Sequence, residues 1–232
     1  MSSRTATRPL APPQRSQAPL EEQFASIEQQ SFANTFGMWV FLVSELLFFA
    51  PMLLGYFYLR THFQHATSLA SRHTDMLLGT VNTAVLLTGS LAVAVAAQAI
   101  RADRRRFAAR LLLGAALLGI VFLAIKGFEY HKEFGEHLFP GAGFRPMDAK
   151  TVADLHGMEL FFLLYFALTG LHAIHLSVGI VLCALVGWRL RRPPPRGASE
   201  DAVELAALYW HFVDVVWVVL YPLLYLVGRS GG

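Results

Sequence analysis

The sequence predicts an all-α membrane protein of five transmembrane helices, with the N-terminus cytoplasmic and the C-terminus periplasmic. Three observations carry this. The 232 residues are 55% hydrophobic and only 15% charged, more apolar surface than a soluble core can hide. Five apolar runs each reach the length of about 20 residues that a helix needs to cross hydrocarbon. Finally, Lys and Arg are segregated between alternate connections, and the basic side of a membrane protein stays cytoplasmic. The net charge of +3 is explained by that topology, so the basic residues give no reason to expect nucleic-acid binding. The single cysteine, Cys183, lies in an apolar run; disulfide and multi-cysteine metal chemistry are excluded.

Residues 1–30 are expected to be a disordered cytoplasmic tail, because their start combines Arg4, Arg8 and Arg15 with prolines at 9, 12, 13 and 19 and no apolar block. Residues 31–232 then form the membrane domain. Its spans fall at about 36–59, 77–100, 111–128, 159–188 and 205–227. Twelve basic residues lie on the N-terminal side of the membrane and six on the other, with Lys126 in neither group. Lys126 is expected to snorkel to the outer interface along its apolar stem. Short basic connections at 101–110 and 189–204 predict antiparallel hairpins of spans two with three and four with five. The second span, LLGTVNTAVLLTGSLAVAVAAQA, is dense in Gly, Ala, Ser and Thr, residues that let transmembrane backbones approach closely.

Several polar groups sit where hydrocarbon is expected. Glu45 lies near the middle of MWVFLVSELLFFAPML, where a charge costs at least about 2.5–3.5 kcal/mol, so it is expected to be neutral and shielded by other helices. Pro51, six residues on, removes a backbone donor and should kink the helix. In the fourth span GLHAIH puts His172 and His175 at i, i+3 on one face. Two imidazoles are too few for a metal, and Glu159 falls about 140–160° away around the helix, so packed histidines are expected. In YWHFVDVVWVVLYP, His211 and Asp214 repeat the i, i+3 spacing and can neutralise each other, while Tyr209, Trp210 and Trp217 suit an interfacial anchor. KGFEYHKEFGEH at 126–137 can pair Lys126 and Lys132 with Glu129 and Glu133 along a solvated helix. The histidines His62, His65 and His73 fall in predicted loops and form no metal-binding box.

The stretches FGMWVFLVSELLFFAPMLLGYFYLR, KGFEYHKEF, LFFLLYFALTGLHAIHLSVGI and LYWHFVDVVWVVLYPLLYLVG resemble subunit III of the haem-copper respiratory oxidases in its five-helix bacterial form. The resemblance runs in order from about residue 36 to 228 and implies a multi-pass subunit of a bacterial inner membrane. It implies a chain with no catalytic centre and no bound cofactor, haem and copper residing in partner subunits I and II. It further implies packing on subunit I, a V-shaped cleft holding membrane phospholipid near the oxygen route, support of proton uptake and turnover stability, and contact with cytochrome c or other respiratory complexes through the assembly. Glu45 matches the family's carbodiimide-reactive carboxylate. Glu129, Glu159, His172, His175, His211 and Asp214 match other characteristic polar positions, implying lipid-contact or structural roles. Glu45 and WHFVDVVW lean toward the cytochrome c type; quinol oxidases and nitric oxide reductase relatives remain alternatives, and a stand-alone proton-coupled transporter built on Glu45 is a further one. Pro51 and the Pro-rich tail have no place in the family pattern.

Overall fold

The computed structural model describes residues 27–141, 143–146, 151–191 and 198–226. Five long helices are apolar enough to cross a membrane: α1 (Ile27–His62), α3 (Met76–Arg101), α4 (Arg105–Gly135), α5 (Val152–Arg189) and α6 (Ala198–Tyr221), with α6 continuing into a π-helical turn at Pro222–Leu226. Each begins before its expected apolar run, and the first four also end after it, because backbone hydrogen bonding continues into flanking polar residues where hydropathy no longer marks the helix. The expected tail at 1–30 lies mostly outside the described residues, and its last four positions are already the first turn of α1. Helix α1 continues through Pro51 without interruption.

The expected hairpins form: α3 packs on α4 and α5 on α6, and α4–α5 and α3–α6 contacts close these four helices into a ring. The implied V-shaped cleft therefore does not open among α3–α6. Helix α1 rests on α5 and α6 from outside, and only 17% of its apolar window is buried, against 56% for α6. Phe36, Trp39, Phe41, Leu47, Phe48 and Leu54 of α1 face outward, as an apolar surface does when its solvent is lipid or another transmembrane chain.

Small residues make the ring tight. The inner face of α3 runs Gly79, Asn82, Leu86, Gly89, Val93, Ala96, a three-four spacing that keeps one narrow stripe against the partner helices. A Cβ on Gly119 of α4 would lie 2.6 Å from Ile180 of α5 and 3.1 Å from Trp210 of α6. Trp210, Trp217 and Tyr209 are accordingly buried at 1%, 0% and 4% exposure. This corrects the interfacial-anchor expectation: Gly89, Gly119 and Gly179 leave room for Trp210 inside the ring of helices, while Trp217 packs on Phe122 and His172 and its Nε1 donates to Thr83 Oγ1 at 3.1 Å.

The sequence signals missed one helix. Residues Gln64–His73 form α2, so His65 and His73 are helical rather than in loops. Its buried face is Ala66, Thr67, Ala70 and Ser71, too small to register as an apolar stripe yet suited to close contact with α5.

Helix α3 starts at Asp75, whose Oδ1 accepts from the backbone N–H groups of Leu77 (3.2 Å) and Leu78 (3.3 Å) while Oδ2 lies 3.3 Å from Lys132 Nζ of α4. Partial burial pushes the Asp75 carboxyl up, but these amide bonds and Lys132 outweigh it and hold it below its ordinary value. A lowered folded-state value means that the cap stabilises fully above the unfolded value and that its contribution is lost as pH falls through the folded value. Asp75→Ala should cost about 1 kcal/mol, the usual worth of an N-cap, and the gap to wild type should close below pH ~4. Thermal denaturation of both proteins across pH 3–7 checks this; a gap independent of pH would refute it.

Candidate functional site

Two polar clusters lie within the apolar helices. The first joins α1 to α5. Glu45 Oε2 lies 2.8 Å from His175 Nε2, and His175 Nδ1 lies 2.9 Å from the carbonyl oxygen of Leu171. A carbonyl only accepts, so Nδ1 carries a hydrogen. The contact at Nε2 then holds one proton, as a neutral acid donating to a neutral imidazole or as an imidazolium beside a carboxylate. Phe49 covers the ring at 5.4 Å between centroids, and Tyr209 donates to the His175 carbonyl at 3.2 Å. Glu45 is shielded by α5, as its depth required, though incompletely: 22% of its side chain is exposed.

His172 and His175 do not converge. His172 is 1% exposed and packs between Phe122 (5.6 Å) and Trp217 (5.0 Å), with neither ring nitrogen hydrogen-bonded among the described residues. Among the described residues no group of three or more His, Cys, Asp or Glu is placed to hold a metal ion.

The second cluster overturns an expectation. Lys126 does not snorkel: it is 3% exposed. Its Nζ donates to Glu129 Oε2 at 3.0 Å, to Tyr165 OH at 2.8 Å and to Tyr225 OH. Glu129 Oε1 in turn accepts from Tyr165 OH (3.0 Å) and Tyr225 OH (2.7 Å). The ammonium also sits within 4.6–5.6 Å of the rings of Tyr130, Tyr165, Trp217 and Tyr225, a geometry in which each desolvated ring face attracts a cation. Three donors and both carboxylate oxygens are thus satisfied, the condition under which a buried ion pair is tolerated. The expected solvated helix face at 126–133 is instead a closed cage shared by α4, α5 and the π-helical turn. Sequence reading registered the Lys126–Glu129 spacing but missed Tyr165 and Tyr225, which lie 39 and 99 residues from Lys126. A π-helical turn, frequent at functional sites, is what carries Tyr225 into the cage, and no propensity signal marks it.

The remaining candidates are spread out. Glu159 Oε1 accepts from the backbone N–H of Gly141 at 3.1 Å, tethering the connection before α5. His211 does not pair directly with Asp214; its Nδ1 lies 2.8 Å from Ser90 Oγ of α3, and Ser90 also faces Asp214. The serine comes between because α3 approaches this face of α6 closely enough to offer its own hydroxyl. Lys132, expected to pair within α4, reaches Asp75 instead. At the opposite end of the bundle Arg101 bonds Glu204 at 2.8 Å.

A family model described as cytochrome c oxidase subunit III matches residues 25–229. The cytochrome c oxidase subunit 3 of Thermostichus vulcanus is 32% identical over 83% of this chain and 87% of its own length. The heme-copper oxidase subunit I+III of Aeropyrum pernix is 30% identical over 82% of this chain, which spans 22% of that longer protein. A probable quinol oxidase subunit 3 of Staphylococcus saprophyticus is 27% identical over 88% of this chain and 94% of its own length. With five membrane-crossing helices in place and a match running nearly end to end, the chain belongs to the cytochrome c oxidase subunit III family of the haem-copper oxidases.

Proposed function

We propose that this chain is the non-catalytic subunit III of a proton-pumping aerobic terminal oxidase of the cytochrome c type, seated in a bacterial inner membrane with its N-terminus cytoplasmic and its C-terminus periplasmic. It packs on subunit I, while subunits I and II hold the haem and copper and this chain holds none. It supports proton uptake and turnover stability and keeps phospholipid near the oxygen route, on the flanks of α1, since α3–α6 close on one another. The observation that carries the reading is the Aeropyrum pernix relative named as subunit I+III: a fused protein keeps its two parts side by side. The pairing of Glu45 with His175 and the bonds of Lys126 and Glu129 to Tyr165 and Tyr225 support it too, since these groups are engaged in holding helices together rather than offered to a substrate.

The identities of 32% to a cytochrome c oxidase subunit and 27% to a probable quinol oxidase subunit favour the cytochrome c type. The quinol relative's nearly full coverage makes quinol oxidation the reading to test against it. Affinity purification of the tagged chain from its membrane should recover partner subunits with a haem absorption spectrum, and the preparation should oxidise reduced cytochrome c faster than a quinol. A colourless, partnerless preparation that moves protons in liposomes would reject the subunit reading in favour of a transporter. A haem-containing preparation that oxidises only quinol would reject the donor.

A further inference from the structure

Beside the Lys126 cage lies a carboxyl group that none of the bonding above employs. Glu133 stands one helical turn after Glu129 on α4, is 3% exposed, and both of its carboxyl oxygens are buried without a hydrogen-bond partner among the described residues. The groups facing it are Lys126, Glu129, Tyr130 and Glu136 of its own helix, Tyr165 of α5 and Tyr225 of the π-helical turn. Tyr165 directs its proton to Glu129 Oε1, and Lys126 is already matched by Glu129 at 3.0 Å. The pocket therefore offers one positive charge to two carboxyl groups, and Glu129 takes it with three charge-satisfying contacts. A second carboxylate would be an uncompensated buried charge beside two other acids, which costs several kcal/mol even after relaxation. Protonation removes that cost.

We propose that Glu133 is a proton-binding site: a carboxyl that holds one exchangeable proton at the end of the bundle shared by α4, α5 and the π-helical turn, with the Lys126–Glu129 pair fixing which of the two acids carries it. With the proton bound the cage is neutral; after its release the cage carries one negative charge. No bond other than O–H is made or broken, and the proton's donor and acceptor is water at the adjacent membrane surface. The geometry also assigns the order of the two acids. Removing Glu129 frees Lys126, and Glu133 then becomes its counterion and gives up its proton.

Infrared difference spectroscopy of the purified complex tests this, because the C=O stretch of a protonated carboxyl is separate from the bands of a carboxylate. The wild-type minus Glu133→Gln spectrum at neutral pH should contain a protonated-carboxyl band that shifts in deuterium oxide, with the haem spectrum unchanged. Glu129→Gln should lose the same band, as Glu133 ionises beside Lys126. Glu133→Asp, which keeps the acid and is the milder change if the glutamine variant fails to assemble, should move the band without deleting it. Carboxylate bands in place of the protonated band in the wild-type minus Glu133→Gln spectrum would overturn the proposal. So would a band left untouched by Glu129→Gln, or one unmoved by Glu133→Asp.

Discussion

Lys126→Met should destabilise the chain by about 3–5 kcal/mol at neutral pH, the usual result of removing one partner from a buried ion pair. The size follows from burial, because the side chains of Lys126 and Glu129 are 4% and 1% exposed, so neither water nor salt screens what remains. Without the ammonium, Glu129 keeps its two tyrosine donors but loses its counter-charge, and the four aromatic rings lose the cation they surround. The double variant Lys126→Met/Glu129→Gln should recover much of the loss, because the pair would then be replaced by neutral groups of similar volume. The thermal midpoint at which the chain unfolds or leaves its purified complex is the readout. A midpoint within error of wild type, or a double variant no better than the single one, would show that the cage contributes nothing.

Gly157→Ala should cost about 1–3 kcal/mol, the range for overpacking a tight contact. An added Cβ would stand 2.6 Å from Ala66 Cβ and 3.2 Å from Phe63 Cβ. Both opposing atoms sit directly on the backbone, so no rotamer change relieves the clash and α2 must move off α5 as a unit. Faster tryptic cleavage at Arg72, in the last turn of α2, should accompany the lower midpoint. Gly170→Ala is the control: its Cβ would meet only Tyr130 OH at 3.9 Å. Equal effects from the two alanines would dissociate the cost from that contact.

What could be read in the sequence follows from which forces act locally. The five spans were legible because crossing hydrocarbon needs a run of apolar residues that a residue-by-residue reading detects. The hairpins were legible because short basic connections leave little choice of neighbour. The small-residue stripe of α3 was recognised too, but what fills the space it leaves was not: Trp210 looked like a residue for a membrane surface until the glycines of facing helices were placed opposite it. Helix α2 escaped because it is only 10 residues long and its buried face is alanine, serine and threonine, shorter and less apolar than the runs that mark a membrane span. The depth of Glu45 was apparent, whereas its partner His175, 130 residues away, required the packing of α1 on α5. Lys126 was misread because solvent exposure was assigned from its place near the end of an apolar run. The spacing of Lys126 and Glu129 is equally compatible with a wet helix and with a dry cage; only Tyr165 and Tyr225, arriving from other helices, decide between them.

Tyr56 of α1 donates its phenolic hydrogen to the backbone carbonyl of Leu223, within the π-helical turn. Although α1 leaves the ribosome before the other four of these spans, its mooring point is built from the end of the fifth. Its final seating therefore waits on the last turn of the fifth span, and a chain truncated before Pro222 would keep α1 inserted and tied to α5 through Glu45 and His175 but without this second tie.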